Sequence, residues 1–260
     1  MLKNLMSELI GMVLAVGAPA TRSADAGLID DLVAANRILA DQGVLDGFGH
    51  VSARHDKNND RFLLARSMAP ALVTAADIIE FDLDSNAIDG RGRTLYLERF
   101  IHGEIYRANP SVHAIVHTHS PAVIPFGVVA VPLRPIFHLG GFLGAGVPVF
   151  EIRDTAGPAT DMLIRNPALG AALAKTLGAA PVALMRGHGN VVVGGTIHEA
   201  VFRAVYTEVN ARLQSEALRL GNGEAIFLNQ EEAQAAAQTN AAQIGRPWEL
   251  WKIKALAEGR

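Results

Sequence analysis

The segment VHTHSPAV, residues 116–123, sets His117 and His119 two positions apart behind an apolar run. On a strand, residues i and i+2 share one face and lie about 6.5–7 Å apart. Both imidazoles can then reach one cation, while Thr118 turns toward the layer behind. The same spacing also suits two incidental histidines at a strand end. His188, in RGHGN at 186–190, is a third candidate. Glycines on both sides of it permit close approach and unusual backbone angles, although a polar residue in an exposed turn needs no function. Three neutral imidazoles with one open position is an arrangement found in catalytic zinc sites. The 260-residue chain has no cysteine, so disulfides and thiolate ligands are excluded and any metal must rest on His, Asp or Glu. A carboxylate would supply acid–base chemistry. Glu98 stands at the N-terminal end of the helix before the histidine strand, within reach of a site there. Glu104, two turns on, is expected to face solvent. His50, His102 and His138 lie in polar or glycine-containing segments that suit a pocket lining; His55, His113 and His198 are expected at the surface.

These side chains need rigid supports. Residues 26–42 carry Leu28, Leu32, Ala35, Ile38 and Leu39 on one helical stripe, with Gly43 placed to end it. GFGHVSARHD alternates Val51 and Ala53 against Ser52 and Arg54, a strand pattern. RFLLA and IIEFDLD read as further strands, and DLDSNAIDG as turns. The spacing predicts a helix over 97–108, stopped by Asn109-Pro110, then the histidine strand and another over 148–152. Residues 180–194 read as a hairpin around RGHGN. A long helix follows, with Thr196 and Glu199 as a capping box, Val201, Ala204, Val205, Val209 and Leu213 on its apolar face, and Gly221 at its end. A last helix starts near Asn229. No repeat or long linker breaks this order, so residues 26–260 are expected to form a single domain of α/β or α+β type around a central sheet.

Half the residues are hydrophobic, 19% are charged, and the formal net charge is −3. No basic tract appears, which argues against nucleic acid. No segment approaches the ~20 apolar residues of a membrane span. Residues 1–25 read as an N-terminal arm or helix. Leu9 to Ala18 followed by Ala-Pro-Ala also has the outline of a weak secretory signal, interrupted at its start by Glu8. The absence of cysteine suits the cytoplasm.

GHVSAR (49–54), Glu98 within LYLERFIHGEIY, VHTHSPAV and RGHGNVVVG occur in the order and spacing of the class II aldolase/adducin family, and the chain resembles that family over roughly residues 26 to 220. The resemblance implies a three-layer α/β/α sandwich with a mainly antiparallel central sheet, and a homotetramer with active sites near subunit boundaries. It implies that His117, His119 and His188 bind one divalent metal, zinc first, with manganese, magnesium, cobalt or iron as alternatives. Glu98 would be the catalytic acid–base and could touch the metal when no substrate is bound.

Sugar-phosphate members carry Asn before the VS segment and a Ser-Ser pair before the glutamate. Here those places hold His50, and Tyr96 and Leu97, so a phosphorylated substrate is not expected. DGFGHVSAR, LLARSMAP, LERFIHGEIY and HLGGFLG instead resemble the branch of aromatic-acid decarboxylases, such as those acting on 3,4-dihydroxyphthalate and 2-hydroxy-3-carboxymuconate semialdehyde. That implies a small carboxylated substrate held by paired oxygens, with Glu98 or His102 protonating the carbon that loses carbon dioxide. Arg54, Arg66 and Arg99 are candidates for gripping the carboxylate, against the plain alternative of structural ion pairs. Ser52, Ser67 and His138 are candidate substrate contacts, and Tyr206 with the C-terminal RPWELWKIKA could complete a neighbouring subunit's pocket. Retro-aldol cleavage of a non-phosphorylated hydroxy-oxo acid, iron-dependent oxygenation, and a non-catalytic adducin-like interaction module are the competing readings.

Overall fold

The computed structural model describes residues 23–257; the apolar stretch Leu9 to Ala18 lies outside them, as does all of the expected N-terminal arm or helix but residues 23–25. In chain order the elements are α1 (Ala26–Asp41), β1 (His50–Arg54), β2 (Arg61–Ala65), β3 (Ile78–Asp82), α2 (Phe100–Ala108), β4 (Ala114–Thr118), β5 (Val149–Phe150), α3 (Arg153–Ala156), α4 (Pro167–Leu177), β6 (Val182–Met185), β7 (Gly189–Gly194), α5 (Ile197–Leu220), α6 (Gln230–Ala241) and α7 (Gly245–Ala257). The strands form one sheet in the order β3-β2-β1-β4-β7-β6-β5. All neighbours are antiparallel except the β5–β6 pair. Helices cover both faces, which is the mainly antiparallel three-layer sandwich expected. Among the described residues no helix is long and apolar enough to cross a membrane.

Strand alternation sorts the two cores. Val51, Ala53, Val116 and Val192 join α1, α5 and α7 on one face. Ile115, Val191 and Val193 join Ile101 and Ile105 of α2 and Leu169 and Leu173 of α4 on the other. With a period of two, the remaining residues of β1 and β4, including His50, Ser52 and His117, turn toward α2. The sheet therefore delivers polar side chains to one layer, and a buried polar group there needs a partner.

Several local expectations change. Helix α4 was not anticipated, although Asn166 caps it by accepting from the Leu169 amide and Pro167 opens it. The C-terminal region holds two helices rather than one; Asn229 and Glu232 form a full capping box at the first. Thr196 does accept from the Glu199 amide, but Glu199 turns to the Gly195 amide rather than back to Thr196, so the expected box is only half made. Leu213 is exposed, because at that level α5 turns Ala211 and Gln214 inward instead. His55 and Glu104 are buried, against expectation. The Glu104 stem packs where Gly170 lets α4 approach α2.

Candidate metal centre

His117 is the last residue of β4 paired on both sides, with His50 of β1 and Val191 of β7. His119 lies just beyond the strand. His188 sits at the tip of the β6–β7 hairpin, where Gly187 takes φ +63°, a left-handed turn position that glycine tolerates. Glu98 belongs to a one-turn 3-10 helix, Leu97–Arg99, that runs into α2 across a kink. One ligand atom from each of Glu98, His117, His119 and His188 lies within 4.8 Å of the others. The sequence-predicted quartet thus converges from three separate segments.

Three of the four are aimed by their other polar atom. The His117 Nδ1–H donates to the Asn190 carbonyl at 3.2 Å. His188 does the same to the Met162 carbonyl at 2.9 Å. Both rings therefore turn Nε2 inward, the tautomer control common around metal-bound imidazoles. Glu98 Oε1 accepts from the Ile164 amide at 2.9 Å, leaving Oε2 3.5 Å from His117 Nε2 and 3.4 Å from His188 Nε2. Behind them, Asn190 accepts from the Thr118 hydroxyl, and Glu208 accepts from the Ser120 hydroxyl and the Ala122 amide, pinning the turn after His119.

The donor set fits a divalent ion on two observations. His117 Nε2 is buried without a hydrogen-bond partner. His119 Nε2 and His188 Nε2 face one another at 3.0 Å, a contact at which two lone pairs repel unless a proton or a cation lies between them. Three nitrogens and one carboxylate oxygen suit zinc and several other first-row ions.

Titration behaviour agrees with a preformed ligand set. Burial, then the neighbouring His117 and His188, holds His119 down at about 4. Burial pushes the Glu98 carboxyl up, but His117 and His188 outweigh it and keep Glu98 well below the usual carboxylate range. Burial pushes His188 down, while its hydrogen bond to Glu98 wins and raises it.

The cluster opens onto a cavity of about 460 Å³. Phe48, Met68, Tyr96, Leu97 and Leu163 give it mostly apolar walls; Ser67, His50, His119 and Glu98 provide polar points. Phe48 and Leu97 are 69% and 57% exposed at the rim.

Other expected site residues lie elsewhere. His102 is wholly buried behind His50, and Ser52 is buried behind His102. Neither lines the cavity. Arg54 occupies the opposite end of β1, and its guanidinium donates to the carbonyls of Asn59, Tyr106, Asn109 and Val112. It ties loops together instead of gripping a carboxylate. Arg99 is spent on the carbonyls of Ser85 and Tyr96, and Arg66 pairs with Asp77 at 2.7 Å. His138 is exposed on the α6 side, where its carbonyl accepts from Asn240. Tyr206 packs against Phe202 and Trp251 of its own chain.

Met162, Ile164 and Tyr106 had no place in the sequence reading. The 162–164 segment carries no helical or strand period, so its carbonyl and amide were illegible. Tyr106 did leave a signal: Glu98, His102 and Tyr106 recur every four residues and so share one helix face.

With this geometry in place, known proteins are informative. The model of the family described as Class II Aldolase and Adducin N-terminal domain matches residues 30–215. The chain is 37% identical to Decarboxylase tropJ of Talaromyces stipitatus over 235 residues, 82% of this chain and 88% of that enzyme. It is 33% identical to the 3,4-dihydroxyphthalate decarboxylase of Arthrobacter keyseri over 211 residues, 75% of this chain and 81% of that one. Among solved structures, L-fuculose 1-phosphate aldolase from Glaciozyma antarctica superposes with a TM-score of 0.75 at 24% identity, covering 96% of this chain and all of its own, a likeness of fold. The chain belongs to the class II aldolase and adducin family. Within it the chain is an enzyme of the lyase class, similar to decarboxylases.

Proposed function

We propose that residues 26–260 act as one catalytic domain that releases carbon dioxide, without oxidation, from an aromatic-pathway acid bearing two adjacent oxygens, a catechol carboxylate or a hydroxy-oxo acid. The observation that carries this reading is the Glu98–His117–His119–His188 cluster, which meets an apolar-walled cavity through Glu98 and His119. The names of the similar decarboxylases support it. Flat apolar walls suit a ring, and the polar groups gathered at the floor suit its oxygens.

His117, His119 and His188 would hold one divalent ion, zinc first, with Glu98 Oε2 beside it. Bound there, the ion supplies Lewis-acid stabilisation for negative charge on the paired substrate oxygens. Glu98, ionised in the free protein, takes the proton of a substrate hydroxyl on Oε2. Glu98 Oε2 then returns that proton to the carbon bearing the carboxylate, which becomes tetrahedral. The bond to the carboxylate breaks, its electron pair flows onto the adjacent substrate oxygen, and carbon dioxide leaves. The Ile164 amide on Oε1 keeps Oε2 on the cluster side throughout. The family resemblance favours a homotetramer as the working assembly, and the cysteine-free sequence suits the cytoplasm.

The test is to incubate metal-loaded protein with a panel of catechol carboxylates and hydroxy-oxo acids and to assay both carbon dioxide and carbonyl products. Carbon dioxide release from an aromatic acid is expected. Release of an aldehyde or ketone instead would establish the retro-aldol alternative, and oxygen uptake would establish oxygenation.

A further inference from the structure

Behind the cavity, four buried side chains form an unbroken hydrogen-bonded line: Tyr106 hydroxyl to Ser52 Oγ at 2.8 Å, Ser52 Oγ to His102 Nδ1 at 2.6 Å, and His102 Nε2 to His50 Nδ1 at 2.6 Å. Only His50, at the end of the line, lines the cavity. A nitrogen–nitrogen contact this short needs one proton and one lone pair, so the line has a direction. Tyr106 sets it. Its hydroxyl is 1% exposed as part of the residue and, among the described residues, has Ser52 as its partner. A buried O–H donates where an acceptor exists. Tyr106 therefore donates to Ser52. Ser52 spends its own proton on His102 Nδ1. His102 carries its proton on Nε2 and donates it to His50 Nδ1. The reverse direction would leave the phenol proton without an acceptor, beneath the Arg54 guanidinium that lies 4.7 Å over the ring.

We propose that the Tyr106–Ser52–His102 line locks His50 as the Nε2–H tautomer, and that His50 offers this N–H to the cavity as the donor that receives the carboxylate of the substrate. This rests on the decarboxylase reading for the identity of the substrate, but not for the tautomer. It gives the site a neutral carboxylate donor where all three arginines considered from sequence are engaged elsewhere. A neutral donor can hold a carboxylate in place without the full charge stabilisation that a guanidinium would add against its departure as carbon dioxide. Tyr106, Ser52 and His102 are positioning residues.

The test uses full-length zinc-loaded protein labelled with ¹⁵N-histidine. Long-range ¹H–¹⁵N correlations should show His50 and His102 both protonated at Nε2. Tyr106→Phe should admit the Nδ1–H form of His50 while metal content stays unchanged. Phthalate, an unreactive aromatic dicarboxylate, should bind about tenfold more weakly to His50→Phe. His50→Asn, which keeps an N–H donor, should recover part of that loss. Protonation of His50 at Nδ1 in the wild-type protein would overturn the proposal, as would unchanged phthalate affinity in His50→Phe. Absent carbon dioxide release with the Nε2–H tautomer intact would reject the decarboxylase reading and leave the tautomer assignment standing.

Discussion

The Ile164 amide donates to Glu98 Oε1 at 2.9 Å, and this one bond turns Oε2 alone toward the imidazoles of His117 and His188. Glu98→Gln can keep the Ile164 contact through its amide oxygen but cannot take and return a proton. Turnover is expected to fall by roughly 10²–10⁴-fold, the usual reach of general acid–base catalysis, with metal still bound through three histidines. Kinetics and elemental analysis on the same preparation check this. Full activity in the variant would remove Glu98 from the proton's path.

The histidines carry a separate prediction. His117→Ala or His119→Ala should abolish stoichiometric metal binding. In the wild-type protein, chelation should lower stability by about 4 kcal/mol relative to protein held at a thousandfold excess of ion over its dissociation constant. Thermal melts with and without chelator measure it. An unchanged melting temperature, or unchanged metal content in either variant, would contradict the ligand assignment.

How much of this was legible in sequence differs from residue to residue. His117 and His119 were legible because strand period fixes their common face, and the β1–β4–β7 pairing confirms the platform. His188 was legible because glycine flanks it at a hairpin tip. What sequence could not supply was main-chain chemistry. The Met162 carbonyl, offered from a residue at φ +73°, and the Ile164 amide come from an irregular segment with no period to read. Charge also misled: Arg54 looked like a carboxylate grip, yet burial at the far end of β1 commits it to four backbone carbonyls. His55 and Glu104 erred the other way, because polarity alone does not reveal a partnered interior position.

Arg54 therefore has a stability role. Arg54→Met should cost about 3 kcal/mol by stranding buried carbonyl acceptors, while kcat/KM of the folded enzyme stays at the wild-type value. Urea unfolding and steady-state kinetics separate the two. A large loss of kcat/KM at unchanged stability would return Arg54 to the substrate.

Acid should destabilise the metal-free protein before its carboxylates titrate. Burial holds His102 at about 3, and burial with His102 and His117 nearby holds His50 well below its ordinary value; His119 sits at about 4. Unfolded, each would take up a proton near pH 6.5. As pH falls below that value the unfolded chain binds more protons than the folded one, so stability falls. The stability these three neutral rings provide is complete above about pH 6.5 and drains away toward about 3. His188 is raised and acts oppositely, giving stability at low pH that is lost as pH rises through its folded value. Three groups against one leave a net loss. Glu98 adds to the loss only below about 4.5, its unfolded value. Urea midpoints of the chelated protein from pH 7.5 to 5 should decline, and His102→Gln should flatten the slope. A midpoint independent of pH over that interval would contradict the burial of neutral imidazoles.

The most direct measurement is the stoichiometry of carbon dioxide released to substrate consumed, using zinc-loaded wild-type protein and Glu98→Gln side by side on a catechol carboxylate that the wild type accepts. One carbon dioxide per substrate is expected for the wild type, with no oxygen uptake and no carbonyl fragment, and almost none for the variant despite equal zinc. Substrate loss without carbon dioxide, or equal release by both proteins, would contradict a Glu98-dependent decarboxylase.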